Sequence, residues 1–193
     1  YLVDVPGDKN TQLAKIKRDL RHTELRIQQM LGKTPKLLAY PYGEYNLGIK
    51  SVTASLGLMA FGQQSGPLGE YSDWQALPRF PLSGIYANPK RLKEKLYTLP
   101  LPVMDIKPET TLSVNRRPRL SFALRDMGFK PHQLNCYASG QGSVPVMFKN
   151  DRFIIKLGSN FKGRRGRINC TAPVKNQKGY YWYSKVWIFR DND

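Results

Sequence analysis

The spacing of apolar residues changes along this chain, and that change constrains the fold more than any other feature. Residues 9–31 carry apolar side chains at helical intervals, whereas from about residue 110 the apolar residues alternate with polar ones in short runs. One hydrophobic period cannot serve both a helix and a strand. The 193 residues therefore predict two kinds of structure in succession, an α/β part and then an all-β part.

Four elements are predicted in the first part. A helix over 9–31, a strand over 37–40, a helix over about 47–56 and a strand over 58–62 follow one another, and Asn46 is placed to cap the second helix. This order is typical of α/β folds, in which helices cover a mostly parallel sheet.

The remaining chain predicts a loop, a third helix and a set of strands. Residues 62–84 are rich in Gly, Ser and Pro and predict a long loop, and Asn88 with Pro89 begins a helix over 88–99. The segment 100–109 is punctuated by proline and predicts a linker. Beyond it, turn residues at roughly 8 to 12 residue intervals predict an antiparallel β-sandwich. We therefore expect two domains, 1–99 and 110–193.

The charge balance favours anionic partners. The chain has 31 basic and 14 acidic residues, a net charge of +17, and residues 99–193 hold 17 of the basic and 6 of the acidic ones. Nucleic acid, an acidic polysaccharide and an anionic membrane surface all fit such a surplus, as does a merely solvated surface. No apolar run approaches the ~18 to 20 residues of a membrane-spanning helix. No leader pattern starts at Tyr1, so we expect a processed or truncated chain.

The two cysteines, Cys136 and Cys170, lie 34 positions apart in predicted strands of one domain. The sequence has no third cysteine and no Cys-x-x-Cys spacing, so the cysteines do not indicate a metal site. We therefore expect a disulfide and an exported, oxidising location. The alternative is a pair of buried thiols in a cytosolic protein.

The sequence predicts no metal site of its own. Its two histidines, His22 and His132, belong to different predicted domains and have no acidic or histidine neighbour at a ligand spacing. No Gly-x-Ser-x-Gly, phosphate-loop or dinucleotide motif is present.

The stretch LLAYPYGEYN, residues 37–46, ends the first predicted strand in a tight turn. Pro41 fixes its own φ and Gly43 accepts a positive φ, so the turn can present a backbone N–H outward. Such a group can hold an oxygen atom, although an ordinary loop has equal use for the same residues.

This stretch, followed by LGLMAFGQQSG and SDWQALPRFPLSG, resembles the C-terminal part of the polysaccharide deacetylase family, the NodB-homology domain of carbohydrate esterases. It looks most like exported bacterial members with an appended β-sandwich. RINCTAP and YYWYSKVWI extend the resemblance to the end of the chain. The resemblance implies half of an incomplete (β/α) barrel in the first domain and a location in the periplasm or at the cell surface.

Several residues acquire roles from the resemblance. It implies that the backbone N–H of Tyr42 binds the oxyanion of the tetrahedral intermediate and that Asp73 helps to tune the catalytic base. The substrate-binding residues it implies are Tyr40, Pro41, Gly43 and Trp74. For Trp74 the alternative is a core aromatic that closes the long loop.

The sequence also departs from the family. Ala39 stands where arginine is common, and no late histidine follows the PRFPLSG segment. The Asp-Asp and His-x-x-x-His motifs, which supply base and metal ligands in the family, would lie before residue 9 and are absent. The resemblance thus implies that the intact protein is a hydrolase that uses a divalent metal, above all zinc, to remove N-acetyl or O-acetyl groups from a polysaccharide. We expect the 193-residue chain alone to bind no metal and to be inactive, because it lacks the N-terminal half of that domain.

The last predicted strand suggests a second binding surface. Trp182 and Trp187, with neighbouring tyrosines and the arginines of residues 163–167, could stack on sugar rings and hold acidic groups. The alternative is that both tryptophans belong to the core. Two other functions stay open, a basic nucleic-acid-binding protein and a non-catalytic structural or attachment module, although a disulfide argues against nucleic acid.

Overall fold

The computed structural model describes residues 2–4 and 6–189. The chain divides into two compact units. The first comprises Tyr1–Gln63 and Asp73–Leu77, and the second comprises Gln64–Ser72 and Pro78–Asp193.

The first unit contains all four elements predicted for it. After a short 3-10 helix at Leu2–Asp4, these are α1 (Lys9–Leu31), β1 (Leu37–Ala39), α2 (Leu47–Ser55) and β2 (Met59–Phe61). Asp8 caps α1 by accepting hydrogen bonds from two backbone amides of the first turn, and Gly32 ends the helix at φ 70°. No helix in the described part of the chain is long and apolar enough to cross a membrane.

The centre of the first unit is a parallel pair of strands. β1 and β2 pair in register, with Leu38 opposite Ala60. The helix between them begins at Asn46, whose side chain accepts a hydrogen bond from the Ile49 N–H at 2.9 Å, as predicted. The described residues combine α/β and β-rich parts, and they close no barrel.

Part of the predicted long loop joins this sheet. The Ala60 N–H donates to the Trp74 carbonyl at 2.8 Å, and the Leu77 N–H donates to the Ala60 carbonyl at 2.8 Å. Phe61 and Leu77 form an isolated parallel bridge. The prediction of a loop is confirmed for Asp73–Leu77, which form no strand, but this part of the loop lies along the open edge of β2, whose backbone groups need partners.

The described residues of the second unit form one α-helix and two sheets. Its helix, α3 (Pro89–Leu96), is capped by Asn88 as predicted, and short 3-10 helices lie at Gly84–Tyr86 and Pro131–Gln133. The strands are β3 (Thr98–Pro100), β4 (Val103–Lys107), β5 (Leu112–Ser113), β6 (Leu120–Leu124), β7 (Asn135–Ala138), β8 (Gly142–Val144), β9 (Val146–Lys149), β10 (Arg152–Ile155), β11 (Arg165–Pro173) and β12 (Tyr180–Phe189). One sheet has the order β4-β6-β10-β9, and the other has the order β3-β12-β11-β7-β8 with β5 also paired to β12.

The segment 100–109, which was predicted to be a linker, contains the end of β3 and the whole of β4. β3 pairs with β12 and β4 pairs with β6, each at the edge of its sheet. Proline is tolerated at strand ends and sheet edges because no ladder hydrogen bond is lost there. The prolines therefore mark edge strands in this segment.

The strand pairing is mixed. The ladders that join β4, β6, β7, β8, β9, β10, β11 and β12 are antiparallel as predicted. β3 and β5 pair with β12 in parallel. Of these two strands only β5 lies within the predicted antiparallel sandwich over 110–193, and for that strand the prediction is wrong. Strands from both sheets contribute to one hydrophobic core, in which Phe122, Phe153, Ile168 and Trp187 are almost fully buried.

The predicted disulfide is present. Cys136 on β7 lies directly opposite Cys170 on β11, and both residues are fully buried. Their sulfur atoms are bonded across a sequence separation of 34 residues. The bond therefore ties together two adjacent strands within the core of the second unit.

Removal of this bond should destabilise the second unit. On the chain-entropy model, a loop of this length contributes about 4 kcal/mol. We expect Cys136→Ala combined with Cys170→Ala to lower the free energy of unfolding by about that amount, measured by urea denaturation with tryptophan fluorescence. Reductant should destabilise the wild type similarly and leave the double variant unchanged. A wild type insensitive to reductant after full reduction would contradict this account.

Candidate active site

The Pro-Tyr-Gly turn follows β1 directly and is held in one geometry. Pro41–Gly43 form a single 3-10 turn in which Tyr42 has φ 57° and ψ 10° and Gly43 has φ 69°. The Gly43 N–H donates to the Tyr40 carbonyl at 2.8 Å, and the Glu44 N–H donates to the Pro41 carbonyl at 3.2 Å. A positive φ is unusual for tyrosine, and such strained residues often mark functional sites.

Gly43 is required at its position by contact as well as by conformation. A Cβ added there would lie 2.6 Å from the Cβ of Gln63 and 2.8 Å from its backbone nitrogen. Gln63 follows β2, just as the turn follows β1. The turn therefore lies at the carboxyl ends of both parallel strands, which is the edge where α/β sheets bind ligands.

The residues of the turn differ in their exposure to solvent. Tyr42 is 58% exposed, whereas Gly43 is buried. Pro41 is exposed at the start of the turn. Of the predicted site residues, Pro41 and Tyr42 therefore lie at the surface, and Gly43 supports them from within.

Tyr40 is a core residue, so its predicted contact with substrate is wrong. It is 1% exposed and stacks on Tyr45 at a centroid distance of 4.9 Å. Its hydroxyl donates to the Gln75 carbonyl at 2.9 Å and lies 3.2 Å from the Thr53 Oγ1. Burial raises the pKa of Tyr40 to about 12, the negative charge of Asp73 adds to the rise, and the hydrogen bond with Thr53 opposes it. Tyr40 thus links β1, α2 and the segment Asp73–Leu77.

Asp73 and Trp74 begin that segment. The Asp73 Oδ1 accepts a hydrogen bond from the Gln75 N–H at 3.0 Å, and its Oδ2 is ion-paired with the Lys50 Nζ. The side chains of Lys50 and Asp73 are 20% and 44% exposed. Trp74 is 51% exposed, which overturns the alternative of a core aromatic and leaves its indole accessible.

Two charged residues of this region were not predicted. Lys50 on α2 supplies the cation that pairs with Asp73. The family commonly has an arginine at position 39, but here Ala39 stands there and cannot form such a pair. Glu44 is fully buried immediately after the turn. The sequence does not predict the ion pair of Lys50 or the burial of Glu44, because both depend on how distant segments pack.

The described residues do not fit the metal that the resemblance implies. No group of three or more His, Cys, Asp or Glu side chains within 2–4 and 6–189 is arranged to hold a metal ion. A metal centre with a bound water needs about three such protein ligands in fixed geometry. We therefore assign no residue of this part of the chain to a metal.

The two tryptophans predicted to bind glycan lie in the second unit and differ in exposure. Trp187 is 0% exposed and packs against Phe161 with ring centroids 6.1 Å apart. Its ring is not accessible to a sugar, so the prediction that Trp187 binds substrate is wrong. Trp182 is half-buried on the opposite face of β12, with its ring edge-on to Phe80 at 5.5 Å.

Substitution of Gly43 tests how the turn is held. Gly43→Ala should destabilise the first unit more than Gly57→Ala, because both glycines have a positive φ but nothing lies within 4 Å of a Cβ at Gly57. We expect a difference of about 1–3 kcal/mol from the clash with Gln63. Urea denaturation followed by circular dichroism at 222 nm, which is dominated by α1 and α2, measures it. Equal effects of the two substitutions would show that the contact with Gln63 is unimportant.

The buried hydroxyl of Tyr40 should give a pH dependence at alkaline pH. Because the folded-state pKa is about 12 and the ordinary value is 10.0, the neutral form is favoured by folding. The stabilisation is complete below about pH 10 and is lost as the pH rises towards 12. Tyr40→Phe should remove this loss and, at neutral pH, should lower the free energy of unfolding by about 1–3 kcal/mol.

Tyr42→Phe is the matched control, since that hydroxyl belongs to an exposed side chain. It should leave both the neutral-pH stability and the alkaline loss close to those of the wild type. An alkaline loss that persists in Tyr40→Phe would contradict the assignment.

Comparison with known proteins identifies the segment that carries the turn. The family model described as polysaccharide deacetylase matches residues 4–61, a range that runs from the start of the first unit through α1, β1, the turn, α2 and β2. No curated protein matches the sequence significantly. Residues 4–61, less than a third of the chain, are thus similar to part of the polysaccharide deacetylase family.

Proposed function

We propose that the intact protein hydrolyses N-acetyl groups of an acetylated polysaccharide and that the first unit forms the oxyanion side of its active site. The observation that carries the proposal is the position of the Pro-Tyr-Gly turn. It lies within the matched segment and at the carboxyl ends of β1 and β2. A rigid turn at that edge is well suited to hold a developing negative charge.

In this proposal the backbone N–H of Tyr42 donates to the oxyanion. Two hydrogen bonds span Tyr42, from the Gly43 and Glu44 N–H groups to the Tyr40 and Pro41 carbonyls, and the packing of Gly43 against Gln63 prevents the turn from shifting. A donor held in advance needs no reorganisation when charge develops on the amide oxygen. Such donors typically contribute about 3–4 kcal/mol to the transition state.

Trp74 and Asp73 take supporting roles. The exposed indole of Trp74 is available to line the acetyl side of the site, with Pro41 on the turn. Asp73 is a positioning residue, since its carboxylate pairs with Lys50 and accepts a hydrogen bond from the Gln75 N–H. The segment that carries Trp74 is thereby fixed against α2.

The metal and the base belong to another part of the proposed enzyme. The family resemblance implies a divalent metal, with zinc the first choice, which would supply an activated water. The described residues lack a ligand set for it, so the ligands would come from a segment outside these 193 residues. We expect the 193-residue chain alone to release no acetate.

An exported location accompanies this function. The Cys136–Cys170 disulfide is of the kind that persists in oxidising compartments such as the periplasm or the cell surface. A polysaccharide substrate is accessible in the same compartments. The disulfide therefore supports an exported enzyme over a cytosolic one.

The activity test compares two glycine substitutions in the intact protein. With an oligomer of N-acetylhexosamine as substrate and acetate release as the readout, Gly43→Ala should lower kcat by about 10²-fold, because the oxyanion donor is displaced. Gly57→Ala introduces the same kind of backbone strain away from the turn and should stay within about 3-fold of the wild type. Tyr42→Phe should also remain active, since it keeps the backbone donor.

No acetate release by the intact protein would overturn the proposed reaction. Equal losses in the two glycine variants would overturn the role of the turn alone. Acetate release by the 193-residue chain would instead refute the assignment of base and metal to another segment.

A further inference from the structure

The six-stranded sheet of the second unit has one face that points away from the hydrophobic core. Along β11, buried residues alternate with half-buried ones, so that Ile168, Cys170 and Ala172 face the core. The residues between them face outward together with their neighbours on β7 and β12. This outer face carries Asn135, Tyr137, Arg167, Asn169, Thr171 and Trp182.

The strand register arranges these side chains in rows. Asn135, Thr171 and Trp182 lie opposite one another across three strands. Tyr137 and Asn169 form the next row with Ser184. Because neighbouring strands are about 4.8 Å apart, each row spans roughly 10 Å, and the two rows together match the size of one or two sugar rings. None of the outward residues described on β7, β11 and β12 is acidic.

A chain of hydrogen bonds orients two members of the outer face. The Trp182 Nε1 donates to the Ser184 Oγ at 2.9 Å, and the Ser184 hydroxyl donates to the Asn169 Oδ1 at 2.8 Å. Since the Asn169 Oδ1 accepts this bond, the other end of that amide is its donor Nδ2. Phe80 packs edge-on against the indole of Trp182. The aromatic and the amide are therefore positioned in advance, which lowers the entropic cost of binding.

The chemistry of the outer face suits a sugar chain. Trp182 and Tyr137, which is 48% exposed, offer aromatic surface to the apolar faces of sugar rings. Asn135, Asn169 and Thr171 offer amide and hydroxyl groups that can pair with sugar hydroxyl and acetamido groups. A merely solvated sheet face does not require a hydrogen-bond chain that fixes its aromatic residue and its amide in one orientation.

Charge selects among sugar chains. Arg167 lies on the outer face, and the exposed residues Lys162, Arg164 and Arg165 lie where β11 begins. Residues 99–193 hold 17 basic and 6 acidic residues, a net charge of +11. A guanidinium group forms bidentate hydrogen bonds with a carboxylate, so this arrangement favours an anionic chain over a neutral one.

The same observations argue against nucleic acid as the occupant. A nucleic acid backbone carries a phosphate at every nucleotide, and its binding requires many basic contacts. Arg165 and Arg167 are the outward basic residues described on β11, and most of the outer face consists of amides, hydroxyls and aromatics, which suit sugar substituents better than a continuous run of phosphates. The disulfide beneath the sheet also favours an exported protein.

We propose that the outer face of β7, β11 and β12 binds an acidic polysaccharide, one that carries carboxylate groups beside its acetamido groups. Trp182 and Tyr137 stack on the rings, Asn169 and Thr171 bond to polar substituents, and Arg167 pairs with a carboxylate. The choice of a polysaccharide rests on the proposed function of the first unit. The choice of an acidic one rests on the charges of the second unit.

A binding experiment on the whole protein tests the proposal. The probe is a polymer of alternating glucuronate and N-acetylglucosamine, with its carboxyl-reduced form as the neutral comparison and a single-stranded oligothymidylate as the nucleic acid. The test variant is Tyr137→Ala combined with Arg167→Gln. The matched control is Tyr71→Ala combined with Arg91→Gln, which removes an exposed tyrosine and an exposed arginine outside the sheet.

The acidic polymer should bind the wild type and the control variant equally. It should bind the test variant more than about tenfold more weakly, since one lost charge-assisted hydrogen bond accounts for about tenfold and the loss of the Tyr137 ring adds to it. The carboxyl-reduced polymer should bind the wild type about tenfold more weakly than the acidic polymer does, because it loses the charge-assisted bond alone. Binding should also change the fluorescence of Trp182, and that change should be absent in Trp182→Phe.

Three results would overturn the proposal: no binding of the acidic polymer, equal binding by the test and control variants, or tighter binding of oligothymidylate that depends on Arg167. Acetate release from a short neutral oligomer should be the same in the test variant and the wild type. Loss of glycan binding on the sheet is thereby distinguished from failure of the proposed hydrolase activity.

Discussion

The second unit depends on the ladder between β11 and β12. Nine residue pairs join these strands, from Arg165 opposite Ile188 to Pro173 opposite Tyr180. β7 attaches to β11, while β3 and β5 attach to β12. Because strand side chains alternate with a period of two, a slip of one residue would exchange the core face of a strand with its outer face. The register of this ladder thus places Trp187 in the core opposite Gly166 and leaves Trp182 on the outer face, while the ladder between β11 and β7 places Cys170 opposite Cys136.

This dependence explains why Trp182 and Trp187 could not be separated from the sequence alone. The alternation in residues 180–189 predicts a strand with two aromatic faces, which is what the structure contains. It does not say which face is inward, because both faces carry large aromatic residues. The partner strand decides, since small or apolar residues of β11 such as Cys170 and Ala172 oppose the inward face. That information lies in the pairing, which local periodicity does not contain.

Local signals predicted local structure well and long-range pairing poorly. Gly32, Asn46 and Asn88 end or begin helices as expected, since caps satisfy backbone groups within a few residues. The proline-rich segment before residue 110 and the loop that contains Asp73 were predicted without strands, yet both pair with strands. Edge positions tolerate proline, and a sheet edge can recruit a segment that has little strand propensity of its own. The candidate site shows the same difference. The Pro-Tyr-Gly turn was predicted from its own residues, whereas the ion pair of Lys50 with Asp73 joins distant segments and was not predicted.

Tyr40 and Tyr42 belong to one short motif but have different environments. Tyr40 is buried and its hydroxyl contacts Thr53 of α2 and the carbonyl of Gln75, whereas Tyr42 follows Pro41 into a left-handed conformation that leaves its ring exposed. The buried tyrosine therefore anchors the end of β1 to the helix and to the segment that begins at Asp73. Lys50 joins that helix and that segment a second time through its ion pair with Asp73. Because Tyr40 immediately precedes the turn and its hydroxyl contacts both α2 and the Asp73 segment, the position of the proposed oxyanion donor depends on a buried tyrosine.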